Sequence, residues 1–287
     1  MTNLVIIPLL PPTSSLPVNK FFDKKRALDW EGHWGKTFDF AAAGISAWEN
    51  WCSKHDVELE VAESMPNDNE CGLTQAQLKT LMEHPPTTQR WLLPIAARLK
   101  HGTDTQIAMV DADTLIMPAS PSIFEQGKTD VLLTPAGSRW GRWHENSHTA
   151  FKGLFPDVNF DKKLYFGCGV IVLRNDRLPS AFLNLMTSRS SEFLKITNGK
   201  TGTDQTPINF VFQRLLRDEK LTFSFLDSRW NATIYEILDN QTHDQSLWPS
   251  LIPEIMANEI VSKNHILHFL RTRHLMSSAY QTINQQP

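Results

Sequence analysis

Two aspartates, Asp111 and Asp113, follow directly on the apolar run IAMV at residues 107–110. The run shows no alternation of polar and apolar residues, which is typical of a central β-strand covered on both faces. Open α/β sheets bind ligands at the carboxyl ends of their strands, so we expect both carboxylates at a binding edge. Carboxylate oxygens are ligands that Mg²⁺ and Mn²⁺ accept, and these ions bridge to phosphates. The alternative is that both aspartates cap a turn or the next helix.

The elements that must position this pair alternate between apolar strands and amphipathic helices, which predicts an α/β domain with a mostly parallel central sheet flanked by helices. The sequence pattern predicts strands at residues 4–10, 57–61, 106–110, 131–134, 169–173 and 265–270, and a second apolar run follows the aspartates at residues 114–117. Helical spacing of apolar residues predicts helices at residues 41–54, 74–82, 90–100, 122–126, 179–186 and 207–216.

The composition is that of a folded protein, with 287 residues, 41% of them hydrophobic and 21% charged. A chain of this length can bury a large core, and its formal net charge of -3 gives no basic bias toward nucleic acid. The first apolar run, residues 4–10, follows no cationic segment and is far too short to span a bilayer. These features predict a cytoplasmic protein without a membrane span.

Further sequence blocks accompany the aspartates in a fixed order. They are RWLLP at 90–94, IAMVDADTLIMP at 107–118, FGCGVIVLR at 166–174, TDQTPIN at 203–209 and HF at 268–269. This set resembles the retaining glycosyltransferases of the glycogenin and bacterial galactosyltransferase type (family 8-like). The resemblance implies a GT-A fold, with a Rossmann-like sheet and a DxD motif at a strand's carboxyl end. It implies one domain over residues 1–287, with a nucleotide-binding half (1–118) and an acceptor-binding half (119–287).

The resemblance also implies a role for each matching residue. The metal, Mn²⁺ or Mg²⁺, would be held by Asp111, Asp113 and His268. The UDP- or GDP-linked sugar donor would be bound by Arg90, Asp111, Gly167, Gly169, Arg271 and Arg273. Asp204 and Gln205 would act on the donor sugar as catalytic residues. The sequence departs from the family at Gly167 and Arg174, where asparagine is frequent, and it lacks the Lys-Pro-Trp that follows the histidine, so Arg271 or Arg273 must meet the diphosphate.

The implied activity is metal-dependent transfer of a sugar from a nucleotide sugar to an acceptor, with retention of anomeric configuration. The acceptor stays open among a glycan, a lipid, a protein and another hydroxyl-bearing molecule, nucleic acid included, and so does the oligomeric state. Aromatic faces stack on the apolar surfaces of sugar rings. Trp140, Trp143 and His144, predicted to lie in a loop after a strand, are therefore the candidate acceptor site, although core packing is the alternative for each tryptophan.

Several simpler interpretations remain at this point. Asp204 would serve equally well as the N-cap of the helix that Pro207 begins, Arg90 as a surface arginine, and His268 as a packed histidine. A non-catalytic carbohydrate-binding protein is the alternative from the binding class. The run His144-Glu145-Asn146-Ser147-His148 matches HExxH, the signature of zinc metallohydrolases, but Asn146 and Ser147 form helices poorly and no third ligand follows at metzincin spacing.

Two triplets match the acceptor pattern for N-glycosylation. They are Asn231-Ala232-Thr233 and Asn240-Gln241-Thr242. Without a secretory signal such matches are expected by chance, so we predict no modification at either asparagine. The three cysteines, Cys52, Cys71 and Cys168, form no CxxC pair, which disfavours a disulfide framework or a thiolate zinc site.

Overall fold

A computed structural model describes residues 2–10, 39–136, 141–197, 204–257, 263–269 and 272–284. The strands of this part of the chain are β1 (Asn3–Pro8), β2 (Glu58–Ala62), β3 (Gln106–Val110), β4 (Thr114–Ile116), β5 (Val131–Pro135), β6 (Phe166–Leu173), β7 (Phe223–Phe225), β8 (Ala232–Thr233) and β9 (Ile266–His268). Its helices are α1 (Asp39–His55), α2 (Asp68–Cys71), α3 (Gln75–Leu81), α4 (Pro86–Gln89), α5 (Leu93–His101), α6 (Arg142–Lys152), α7 (Arg177–Ser188), α8 (Ser190–Thr197), α9 (Gln205–Arg217), α10 (Ile234–Gln241), α11 (Trp248–Ala257) and α12 (Met276–Asn284).

The larger sheet has six strands in the order β2-β1-β3-β6-β5-β7. Five of these strands run in one direction, and β6 alone is antiparallel to both of its neighbours, β3 and β5. The mostly parallel α/β sheet predicted from the sequence is therefore present. Because β6 is reversed, its carboxyl-terminal half pairs with β3, up to Val170 opposite Val110, and its amino-terminal half extends past the carboxyl end of β3.

A second, three-stranded sheet has the order β4-β9-β8. Its central strand β9 pairs with β4 on one side and with β8 on the other, so His268 lies opposite both Thr114 and Thr233. The predicted last strand thus exists over Ile266–His268, but it belongs to this separate sheet. Because His268 pairs with Thr114, it lies close to Asp113, the residue that precedes Thr114 in the chain.

Both faces of the larger sheet are covered, which explains the continuous apolar runs. Along β3, Ala108 and Val110 pack into a cluster with α1, α11 and α12, whereas Met109 between them packs into a cluster with α6, α7 and α9. A strand that alternates between two apolar environments has no polar face. The absence of polar alternation in residues 107–110 is therefore what predicted a central strand covered on both faces.

The helix predicted over residues 90–100 is divided. The chain forms α4, then a 3-10 turn at Arg90–Leu92, and only then α5. Pro94 has no backbone N–H, so it would interrupt the hydrogen bonds of one continuous α-helix starting at residue 90. In the first turn of α5, where it lies, no such N–H is needed. Residues 87–89, directly before the predicted helix, lie within α4.

Two other predicted boundaries shift. The strand predicted at 169–173 begins at Phe166, so the glycine-containing segment FGCG lies inside β6. The short helix predicted at 122–126 is a 3-10 turn at Ile123–Glu125. Within the described ranges, no helix has the length and apolar character needed to cross a membrane.

His84, between α3 and α4, is buried against α8. Its Nε2 lies 3.0 Å from Ser190 Oγ, and its ring meets the edge of Phe193. Burial lowers the pKa of His84 to about 4, because the charged imidazolium loses its hydration there.

This burial makes stability depend on acid. An unfolded histidine takes up a proton near pH 6.5, whereas folded His84 does so only near pH 4, so protons favour the unfolded state between these values. We predict that lowering the pH from 7 to 5 costs the protein about 2 kcal/mol of unfolding free energy through His84. Urea unfolding of the wild type and a His84→Gln variant at both pH values measures this contribution. His243→Gln, at an exposed histidine, is the control and should keep the wild-type pH dependence.

Candidate functional site

The turn that carries Asp111 and Asp113 is bonded to three different elements. Asp111 N donates to Gly169 O of β6 at 2.8 Å, and Phe269 N, just after β9, donates to Asp113 O at 2.8 Å. Thr114 Oγ1 donates to Asp111 O at 2.6 Å and accepts from the indole Nε1 of Trp48 in α1 at 3.1 Å. The turn is therefore fixed where the two sheets and α1 meet.

Gly44 lets α1 approach this turn closely. A Cβ at that position would lie 2.8 Å from Ala112 O and 2.7 Å from Met276 Cε. Backbone cannot yield to such a contact, so the site needs glycine at a mid-helix position. Sequence analysis missed this residue, since a single glycine in a helical pattern has no chemical signature.

The side chains of Asp111, Asp113 and His268 converge. One ligand atom from each lies within 4.8 Å of the others, and the described residues contain no second group of three or more such side chains. His268 Nε2 is 3.1 Å from Asp113 Oδ1 and 3.8 Å from Asp111 Oδ2. Two carboxylates and an imidazole are a donor set that Mn²⁺ accepts, and the three atoms are close enough for one ion.

Asp113 and His268 are the buried members of this group, and Asp111 is the more open one, with 28% of its side chain exposed. Burial alone would raise the pKa of Asp113, but attraction to His268 and Arg273, with their hydrogen bonds, lowers it below its ordinary value. Arg273 Nε donates to Asp113 Oδ2 at 2.6 Å, and its side chain is 37% exposed. Arg271, the alternative cation, lies outside the described residues.

Arg90 is buried and joins two carboxylates. Its Nη1 donates to Asp111 Oδ1, its Nε and Nη2 donate to Asp204 Oδ2 at 3.1 and 3.0 Å, and Nη2 also meets Cys168 O at 3.3 Å. The surface-arginine interpretation is therefore wrong. The 3-10 turn at Arg90–Leu92 is the part of the chain that directs this side chain inward.

Asp204 stands at the start of α9, but its side chain makes no capping hydrogen bond, so the capping interpretation is wrong. Its carboxylate instead accepts from Arg90 and from the indole Nε1 of Trp91, the latter at 2.7 Å. Burial raises the pKa of Asp204, while Arg90 and Trp91 oppose that rise. Trp91 is fully buried, and its indole N–H adds a polar role that helical spacing does not report.

Gln205 and Asn209 continue this face of α9. The side chain of Gln205 is hydrogen bonded to the Tyr165 hydroxyl, which also lies 3.2 Å from Thr206 Oγ1. The amide of Asn209 binds both backbone groups of Phe166, at 2.9 and 3.0 Å. Asn209 therefore ties α9 to the first residue of β6, beside the glycines of that strand.

The two glycines of β6 differ in what surrounds them. A Cβ on Gly169 would lie 2.6 Å from His268 Cε1 and 3.3 Å from Asp111 Oδ2, whereas a Cβ on Gly167 would meet nothing closer than 3.5 Å. The position of the His268 ring therefore requires glycine at residue 169, whereas at residue 167 there is space for a Cβ atom. Arg174, at the far end of β6, binds Gln106 Oε1 at 2.5 Å and backbone carbonyls at 2.7 and 2.8 Å, remote from both aspartates.

The candidate acceptor residues occupy a helix, not the predicted loop. Trp143 and His144 lie in the first turn of α6, where Trp143 is 40% exposed and the His144 ring meets the edge of Tyr165. Trp140 lies outside the described residues. Through Tyr165, His144 is connected to Gln205.

The HExxH run is helical, contrary to the expectation that Asn146 and Ser147 would prevent a helix. Its side chains nevertheless do not assemble with a third ligand among the described residues. His148 stacks on Phe210, and the Glu145 carboxylate pairs with Lys162. Helical spacing alone therefore does not make this run a metal site.

No protein-family model matches the chain, and neither does any curated protein sequence. A solved glycosyltransferase involved in the glycosylation of the major capsid of PBCV-1 aligns with a TM-score of 0.50 and 11% identity, over 98% of this chain and 100% of that one. The galactosyltransferase LgtC, solved with donor and acceptor sugar analogues, aligns with a TM-score of 0.49 and 10% identity, over 99% and 97%. Mouse xyloside xylosyltransferase 1 aligns with a TM-score of 0.45 and 11% identity, over 94% and 98%.

The first of these likenesses shows the fold. The chain has the α/β architecture of GT-A glycosyltransferases, so the predicted fold class is confirmed. At 11% identity the likeness concerns the fold alone, and the two alignments with TM-scores below 0.5 add no support. The chemistry must therefore be argued from the residues of this chain.

The contrast between the two glycines gives a matched pair of variants. We predict that Gly169→Ala displaces the His268 ring and destabilises the fold by about 1–3 kcal/mol, as overpacking does, while Gly167→Ala changes stability by less than about 1 kcal/mol. Urea unfolding without added metal measures both. Equal stability of the two variants would contradict the close contact between Gly169 and His268.

The Arg90 network gives a second prediction. Arg90→Met leaves the buried carboxylate of Asp204 without its cation, so we expect a loss of about 3–5 kcal/mol in unfolding free energy. The double variant Arg90→Met/Asp204→Asn should recover part of that loss, because a neutral amide oxygen still accepts from Trp91. Denaturant titration of the single and double variants tests the coupling; additive losses would argue against it.

Proposed function

We propose that this protein is a metal-dependent glycosyltransferase that moves a sugar from a nucleotide-sugar donor to a hydroxyl-bearing acceptor. The observation that carries the proposal is the convergence of Asp111, Asp113 and His268 to within 4.8 Å at the strand edge of a glycosyltransferase fold. Fold alone does not imply activity, but a hard cation site at the ligand-binding edge of the sheet is what transfer from a nucleoside diphosphate requires.

In this proposal Asp111, Asp113 and His268 hold Mn²⁺ or Mg²⁺, which when bound neutralises the negative charge that develops on the leaving diphosphate. Arg273, half-exposed beside Asp113, contributes a guanidinium that can bind phosphate oxygens in pairs, and Arg271 is its proposed companion. Arg90 has its donor groups engaged with Asp111, Asp204 and Cys168. We therefore propose that Arg90 supports binding of the sugar donor indirectly, by positioning the Asp111 carboxylate.

The donor sugar is proposed to lie next to Gly167, where strand β6 leaves space, while Gly169 contributes to the donor site by making room for the His268 ring. Asp204 and Gln205 would face the donor sugar from the start of α9 and steady the positive charge that develops on the sugar ring. The acceptor oxygen would attack the anomeric carbon as the bond to the diphosphate breaks, and its proton would pass to an oxygen of the departing diphosphate as the new glycosidic bond forms. Retention of configuration follows from the family resemblance and is testable by NMR of the product anomer.

The sugar donor is proposed to be UDP- or GDP-linked. The residues proposed to bind it come from both predicted halves of the chain, residues 1–118 and residues 119–287. Trp143 and His144 are the proposed acceptor contacts, because the His144 ring lies against Tyr165 and the Trp143 ring lies against His144. Trp140 is proposed with them from the sequence alone. Sugars stack well on such aromatic faces. The acceptor class is left to experiment, with glycans, lipids, proteins and nucleic acid as candidates.

A donor-hydrolysis assay tests the proposal. With a panel of UDP- and GDP-sugars, we expect hydrolysis by the wild type in the presence of Mn²⁺ and its loss on chelation. Asp113→Asn should lower the rate by about 100-fold or more, because it weakens a contribution of several kcal/mol to transition-state stabilisation. Asp239→Asn, at an exposed aspartate on α10 that pairs with His243, is the matched control and should retain the rate.

Other results would point elsewhere. Donor hydrolysis that ignores both chelation and Asp113→Asn would refute metal dependence. Sugar binding without turnover for every donor and acceptor, unaffected by Asp113→Asn, would favour a carbohydrate-binding protein. Bound zinc with peptidase activity lost in Glu145→Gln would favour the metallohydrolase alternative.

A further inference from the structure

We propose that Asn231 is a positioning residue that fixes the tautomer of His268 and so directs its Nε2 lone pair at the metal. The inference rests on the proposed function, since it concerns the same metal site. Asn231 entered the sequence analysis only as part of a glycosylation triplet. In the structure its side chain is 7% exposed, which leaves no room for a glycan and calls for another account of this residue.

The contact itself is direct. Asn231 ends the 3-10 turn Ser228–Asn231, next to β8, and its Oδ1 lies 3.0 Å from His268 Nδ1. On the other side of the ring, His268 Nε2 faces Asp113 Oδ1 at 3.1 Å. The imidazole is thus held between an amide and a carboxylate. Its face lies against Gly169, where even a methyl group would collide.

A chain of hydrogen bonds sets the orientation of the Asn231 amide. Asn231 Nδ2 donates to Thr134 Oγ1 at 3.2 Å, and Thr134 Oγ1 donates to the Val170 carbonyl at 3.4 Å. A carbonyl only accepts, so the hydroxyl proton of Thr134 points to Val170 and its lone pair faces the asparagine. The amide nitrogen of Asn231 must then face Thr134, and its oxygen must face His268.

The amide oxygen accepts a proton and cannot donate one, so the neutral imidazole keeps its proton on Nδ1. Its Nε2 then carries the free lone pair, on the side where Asp111 and Asp113 lie. Partners of this kind, which bind the remote nitrogen of a metal-binding histidine, fix the ring and raise its basicity, and their removal typically weakens metal binding by about 10- to 100-fold. Thr134 in β5 acts indirectly, by fixing the orientation of the Asn231 amide.

The test measures Mn²⁺ binding by the full-length protein, with EPR detection of free Mn²⁺ and pulsed-EPR detection of the coordinated ¹⁴N of His268. Asn231→Leu, which keeps the size but removes the acceptor, should weaken Mn²⁺ binding by about 10- to 100-fold and diminish the ¹⁴N coupling. Asn231→Asp keeps an acceptor oxygen and should restore both to within about threefold. Thr134→Val should weaken binding less than Asn231→Leu, because it frees the amide to rotate without deleting it.

Thr105→Val is the control for Thr134→Val. Thr105 is also fully buried, and its hydroxyl has no hydrogen-bond partner among the described residues, so this variant should bind Mn²⁺ as the wild type does. Thermal unfolding without metal shows which variants fold. If Asn231→Leu does not fold, Thr134→Val decides the question, because it alters one hydroxyl and preserves volume.

The outcomes separate this inference from the proposed function. Wild-type protein that binds Mn²⁺ with a ¹⁴N coupling, and a folded Asn231→Leu or Thr134→Val variant that matches it in both, would overturn the role of Asn231 alone. Wild-type protein that does not bind Mn²⁺ would overturn the metal site and the positioning role together. Weaker binding with an unchanged ¹⁴N coupling would show a general structural effect and would also refute the tautomer assignment.

Discussion

A buried guanidinium between two carboxylates is the interaction on which the site depends. Arg90 reaches Asp111 at the end of β3, Asp204 at the start of α9 and a carbonyl of β6, three segments far apart in sequence. A buried charge is tolerated only when it is paired and its hydrogen bonds are satisfied. The positions of these segments are therefore coupled: moving any one of them would leave a charge or a carbonyl without its partner in an apolar environment.

The second constraint is space where the two sheets meet. The turn of Asp111 and Asp113 joins β3 of the larger sheet to β4 of the smaller one, so backbone from both sheets and from α1 must converge there. Gly44 and Gly169 make this convergence possible, one beneath the turn and one beside the ring of His268. Glycine is used here for close approach, since neither position needs an unusual backbone conformation.

The polar residues around the site form two connected groups. Arg90, Trp91 and Asp204 form one, on the side of α9, and His268 with Asn231 belongs to the other, on the side of the smaller sheet. Arg90 binds Asp111, and His268 binds Asp113 while also lying 3.8 Å from Asp111, so both carboxylates are held in place by side chains of the fold. Both carboxylates are held in position before a cation or a diphosphate binds. This arrangement suits a site in which the cation and the diphosphate must meet in one orientation.

The sequence by itself determined the α/β class, the strand before Asp111, the helices α1, α3, α7 and α9, and the blocks that resemble glycosyltransferases, because hydrophobic periodicity and short motifs are local properties of the chain. Tertiary structure alone decided that Arg90 is buried and that Asp204 pairs with it instead of capping α9. The resemblance implied that Asp113 and His268 share a metal, but only the tertiary structure gives the distance between their side chains. Those contacts join residues more than 100 positions apart, and no local pattern reports them. The same limit explains Asn231: its triplet was a match expected by chance and gave the residue no role, whereas its burial beside His268 follows only from how β8 and β9 pair.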